Sequence, residues 1–120
     1  MQVIGWLRAE PPAALFTTAI TEAELLYGLA LLRPGSRRRS LEEMILGILS
    51  EDFAGRILPF DSAAAREHAQ ISSARRSLGR PMSEADARIA AIARSRGASV
   101  ATCNVADFKD AGITIVDPWR

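Results

Sequence analysis

Lysine, histidine and cysteine are nearly missing from this 120-residue chain: Lys109, His68 and Cys103 are each the one residue of its kind. A lone cysteine excludes an internal disulfide and fits a reducing compartment. A lone histidine beside it excludes a zinc cluster of the Cys/His type, so any bound metal would have to be held by oxygen. Long apolar runs are also lacking. No segment reaches membrane-spanning length, and the opening "MQVIGWLRAEPPAALF" has no signal-peptide core, so a soluble, cytoplasmic protein without membrane association is expected. Neither sign of charge dominates: 15 Lys and Arg stand against 14 Asp and Glu, a net charge of +1, which gives no general pull toward nucleic acid. Almost all the positive charge is arginine. Its planar fork suits phosphate, although a GC-rich genome would leave the same bias.

What is present is ordinary for a globular chain, with 48% hydrophobic and 24% charged residues. The length predicts one domain spanning 1–120. Val3, Ile4, Trp6 and Leu7 resemble the end of a helix that Pro11-Pro12 breaks. "ALFTTA" (14–19), "GRILPF" (55–60), "SVAT" (99–102) and "ITIV" (113–116) are predicted strands. Helices are expected from the Thr21-x-x-Glu24 capping box to about Leu32, and from the Ser40-x-x-Glu43 box to about Ser50. Two more are expected from Asp61 to about Leu78, and from Ser83 to the Gly97 stop. Strands alternating with helices predict an α/β protein with a parallel sheet covered on both faces.

In such a sheet the strand ends and the following helix starts share one edge. Glu24, Asp86 and Asp107, with Asn104 nearby, each follow a predicted strand or open a predicted helix. Several carboxylates without histidine or thiolate suit Mg²⁺ or Mn²⁺, which can activate water and clamp phosphodiester oxygens. Helix capping is the competing duty for Glu24 and Asp86, and turn formation for Asp107. Spacing leaves both open.

"TTAITEAELLYG", "GRILPFD", "MSEADARIAAIA", "SVATCNVADF" and "ITIVDPW", in this order, resemble a PIN domain of the VapC-like toxin group over nearly the whole chain. The resemblance implies a three-layer fold, a parallel sheet sandwiched by helices with acidic residues at its carboxyl edge. It implies a Mg²⁺-dependent ribonuclease, the toxin of a type II toxin–antitoxin pair, acting on RNA, neutralised by a small antitoxin and dimeric. Carried over by motif, Glu24, Asp86 and Asp107 would be the catalytic metal ligands, and Asn104 would orient the water or a carboxylate.

The family's opening strand, which ends in Asp-Thr-Asn, has no match here, so the first central strand and one ligand are expected to be absent from this chain. The alternative that follows is a truncated, catalytically inactive remnant that at most binds an antitoxin. Cys103 stands where relatives usually have arginine, and is expected to be a semi-buried residue without a role. Arg33, Arg37, Arg38 and Arg39, and again Arg75, Arg76 and Arg80, form basic stretches that fit RNA contact, contact with an acidic antitoxin, or a solvated surface. The Leu25, Leu26, Leu29 and Leu32 stripe has helical spacing and is expected in the core or at an interface formed by residues 22–50.

Overall fold

The computed structural model describes residues 9–11 and 14–118. The expected helix end at residues 1–8 lies outside them. Contacts divide the chain into two units, Pro11–Pro59 and one built on Phe60–Arg120.

In the first unit, strand β1 (Thr17–Thr18) pairs in parallel with β2 (Ile57–Leu58), Thr17 opposite Ile57 and Thr18 opposite Leu58. Thr17 N–H also donates to the Arg56 carbonyl at 3.0 Å. Helix α1 (Ala19–Ala30) follows without a loop, because Thr18 is both the last strand residue and the helix N-cap. Its Oγ1 accepts the Thr21 N–H at 3.1 Å, satisfying a donor that the helix start leaves without a partner. The expected start at Thr21 is therefore corrected by one turn.

Helix α2 (Ser36–Gly47) begins after Gly35, which has φ 155° and no side chain to cap with. Arg39 N–H already donates to the Gly35 carbonyl at 3.1 Å, so Ser40 lies inside the helix and its apparent capping box caps nothing. A π-helical turn (Ile48–Asp52) continues it, closed by the Phe53 N–H on the Ile48 carbonyl at 3.0 Å. Leu29 and Leu49 are buried in this unit.

The second unit matches the sequence more closely. Helix α3 (Ser62–Ser77) is capped by Asp61, whose Oδ1 accepts the Ala64 N–H at 3.0 Å. Helix α4 (Glu84–Ser95) is capped by Ser83, whose Oγ accepts the Asp86 N–H at 3.2 Å. Gly97, at φ 65°, ends α4, and the Ala98 N–H turns back to the Ala93 carbonyl at 2.9 Å. α3 and α4 pack together. They bury Ala64 and Ile71 of the first and Ala87, Ala90, Ala91, Ile92 and Ala93 of the second. Alanine there lets two backbones approach closely while Ile71 and Ile92 fill the volume.

Strand β3 (Val100–Ala101) pairs in parallel with β4 (Ile115–Val116). The short helix α5 (Val105–Phe108) lies between them in sequence and is anchored by buried Phe108. The α/β class and the parallel sense are as expected. The described strands, however, form two separate two-stranded sheets rather than one. Each strand is held to two residues, β1 because the α1 cap begins at Thr18, β3 because the chain turns toward α5. Among the described residues no helix is long and apolar enough to cross a membrane.

Candidate functional site

Glu24 lies in the Pro11–Pro59 unit, whereas Asp86, Asn104 and Asp107 lie in the other. With Thr18 as the cap, Glu24 sits in the second turn of α1, beyond reach of the helix's free N–H groups. Capping therefore does not explain it, and its exposed side chain makes no hydrogen bond or ion pair among the described residues.

Asp86 occupies the third position of α4, where its backbone N–H is taken by Ser83. The reciprocal bond of a capping box, from the Ser83 N–H to the Asp86 carboxylate, is not made among the described residues. The carboxylate is left half-buried in the first turn of the helix.

Asp107 is held by its backbone. Its N–H donates to the Asn104 carbonyl at 3.1 Å, and its own carbonyl accepts from Arg75 Nη1 at 3.2 Å. Asn104 precedes α5 without capping it. Its N–H is taken by Thr102 Oγ1 at 3.0 Å, and its Oδ1 accepts from the Cys103 thiol at 3.9 Å. Cys103 is exposed, not semi-buried as expected. Cys103, Asn104, Val105, Ala106, Asp107 and Lys109 line an open pocket of about 520 Å³. One carboxylate, one amide oxygen and one ammonium thus share a surface depression.

From Phe60 to Pro118 the other acids behave differently. Asp61 pairs with Arg96, Glu67 with Arg94, Glu84 with Arg88 and His68, and Asp110 with Arg80. Asp117 also has a partner. Among the described residues from Phe60 to Pro118, the acidic side chains left unpaired are Asp86 and Asp107.

Free carboxylates and an amide oxygen are the hard donors that Mg²⁺ and Mn²⁺ take, and Mg²⁺ commonly uses one or two carboxylates and keeps several waters. The donor chemistry of Asp107 and Asn104 fits such an ion. No group of three or more His, Cys, Asp or Glu side chains is placed to hold a metal ion among the described residues.

Sequence reasoning missed Arg75. Its place in a basic stretch with Arg76 and Arg80 fits RNA contact, antitoxin contact or a solvated surface, yet it is 5% exposed. The signal was available: Ala64, Ile71 and Arg75 stand at i, i+7 and i+11, one face of α3.

Short parallel strands alternating with helices define an α/β domain. The PIN-domain model matches residues 1–113, and the chain belongs to the PIN-domain family, in its VapC and FitB toxin group. A VapC ribonuclease of Sinorhizobium fredii is 38% identical over 98% of this chain and 84% of its own. The toxin FitB of Neisseria gonorrhoeae is 37% identical over 99% of this chain and 86% of its own. The crystal structure of FitAcB from Neisseria gonorrhoeae superposes with a TM-score of 0.92 at 37% identity, covering 99% of this chain and 86% of that one. VapBC-5 of Mycobacterium tuberculosis, a member of the VapBC family of toxin–antitoxin systems, has a TM-score of 0.71 at 30% identity, covering 84% and 79%.

Proposed function

We infer that the chain is a single PIN domain acting as a Mg²⁺-dependent endoribonuclease, the toxin of a toxin–antitoxin pair. One observation carries this reading: among the described residues from Phe60 to Pro118, the acids other than Asp86 and Asp107 are tied to arginine or otherwise partnered. Unpaired carboxylates repel one another if brought close, and a divalent cation relieves that repulsion. Glu24, released from capping duty, is the third ligand of the reading.

When bound, the ion supplies an activated water and polarises a phosphodiester oxygen. In this reading the carboxylates of Asp86 and Asp107, with that of Glu24, would hold the ion, and the Asn104 amide would orient a water. Lys109, on the wall of the Asp107 pocket, offers a cation to an RNA phosphate. Support for RNA comes from relatives, among them a tRNA(fMet)-specific endonuclease VapC of Shigella flexneri, 33% identical over 85% of this chain.

Partner binding belongs to the same reading. Phe16, Leu25, Leu26, Tyr27, Leu31, Met44, Leu46 and Ile48 are exposed apolar side chains of the Pro11–Pro59 unit. Such a concentration of exposed apolar surface is the mark of an interaction face, and a second copy and a small antitoxin are its occupants in this reading. The FitAB and VapBC structures are of complexes, some bound to DNA.

A second reading has its own support. No three metal-ligating side chains are grouped among the described residues, which favours an inactive chain that only binds an antitoxin. Incubating the chain with RNA in Mg²⁺, in EDTA, and as Asp107→Asn separates the two. Cleavage that needs both Mg²⁺ and Asp107 supports the nuclease; no cleavage in any arm, with antitoxin binding retained, supports the second reading.

A further inference from the structure

Arg75 projects from the last turn of α3 and is 95% withdrawn from solvent, being 5% exposed. Its guanidinium binds backbone carbonyls from two places in the chain. Nε donates to the Arg80 carbonyl at 2.6 Å, just past the end of its own helix. Nη1 donates to the Asp107 carbonyl at 3.2 Å and to the Lys109 carbonyl at 2.5 Å, 32 and 34 residues away. The Arg80 N–H returns to the Arg75 carbonyl at 3.0 Å, and the Arg80 side chain pairs with Asp110. One buried cation therefore ties the end of α3 to both sides of Phe108, and so to the residue that carries the Asp107 carboxylate.

We propose that Arg75 is a positioning residue: by fixing the carbonyls of Asp107 and Lys109 it sets the Asp107 carboxylate for a divalent cation. This deepens the metal-site reading above and rests on it. α5 is a single turn (Val105–Phe108) with no side-chain cap. Local hydrogen bonding gives so short a helix little rigidity, while metal ligation tolerates errors of only about 0.2 Å. The rigidity must be imported. Arginine suits the task because its planar fork can serve several carbonyls from one fixed position and it stays charged. Carbonyls gathered at the end of a helical turn carry partial negative charge, which receives the buried guanidinium. Lysine presents a single nitrogen on a flexible stem and cannot reproduce a rigid fork.

The test titrates Mn²⁺ into the full chain and reads the free ion by electron paramagnetic resonance, for the wild type, Asp107→Asn, Arg75→Met and Arg75→Lys. Amide hydrogen exchange is followed in parallel. Arg75→Met is expected to weaken Mn²⁺ binding about tenfold, as outer partners of a ligand do when removed. It should speed exchange at residues 105–110 while Ala90–Ala93 in α4 keep wild-type protection. Arg75→Lys should fall between. If Arg75→Met binds Mn²⁺ like the wild type while Asp107→Asn does not, the positioning role is overturned and the metal reading stands. If the wild type binds no Mn²⁺, or Asp107→Asn binds it equally well, the metal reading fails and takes this proposal with it. Should Arg75→Met not fold, Arg75→Lys decides by the same readouts; if neither variant folds, Arg75 is structural only and the proposal is overturned.

Discussion

Thr18 Oγ1 accepts the Thr21 N–H at 3.1 Å and lies 3.1 Å from the Thr21 hydroxyl, so the residue that ends β1 also begins α1. That bond moves the helix start one turn ahead of Thr21 and leaves Glu24 without a capping role. Thr18→Ala should cost about 0.5–2 kcal/mol, the range for loss of a helix cap. Thr21→Ala should cost less, since its N–H donor survives. Urea denaturation of both variants checks the order; equal losses would return the cap to Thr21.

Mg²⁺ should raise the melting temperature of the wild type. A ligand at one hundred times its dissociation constant adds about 2.7 kcal/mol to the folded state. In Asp86→Asn the increment should shrink, while the metal-free protein should melt at the same temperature or higher, because its Ser83 cap is intact and one charge is gone. Calorimetry with millimolar Mg²⁺ and with EDTA provides the comparison. An unchanged Mg²⁺ increment in Asp86→Asn would remove Asp86 from the ligand set.

The leucine stripe of α1 divides between interior and surface. Leu29 is 5% exposed, whereas Leu25 and Leu26 are 40% and 39% exposed. Leu29→Arg should therefore unfold the protein, placing a charge where no partner is available. Leu25→Arg with Leu26→Arg should leave the fold intact and change the mass seen by size-exclusion light scattering or abolish antitoxin capture. A folded double variant with unaltered assembly and capture would take the interface away from this face.

Ile92 is fully buried where α3 and α4 pack, and its neighbours in sequence are alanines. Ile92→Ala should cost about 2–5 kcal/mol through the cavity it leaves. Ala90→Leu should cost about 1–3 kcal/mol by forcing extra volume between close backbones. Thermal melts of the two variants measure both; a neutral Ala90→Leu would mean that the helices can move apart freely.

The structure divides the sequence's expectations along a physical line. Asp61 and Ser83 were legible as caps, and Gly97 as a stop, because each acts through hydrogen bonds to residues three or four positions away. The parallel sense of the strands was legible from strand–helix alternation. The four candidate site residues were chosen by type and by place after a strand or at a helix start; of these, Asp86 and Asp107 make no ion pair among the described residues.

The order of the longer helices and the four strands can be read locally, since periodicity, caps and breakers are decided within a turn of helix, whereas the single-turn helix Val105–Phe108 and the π-helical turn were not expected. Only the tertiary structure decided what depends on distant segments. Strand pairing bound β1 to β2 and placed Thr18, not Thr21, at the helix start. Packing buried Leu29 but not Leu25. It also carried Arg75 inward to carbonyls 32 and 34 residues away, turning a basic surface into an internal clamp. Charge is written in the sequence; whether it meets water, carboxylate or carbonyl is settled by what the fold brings beside it.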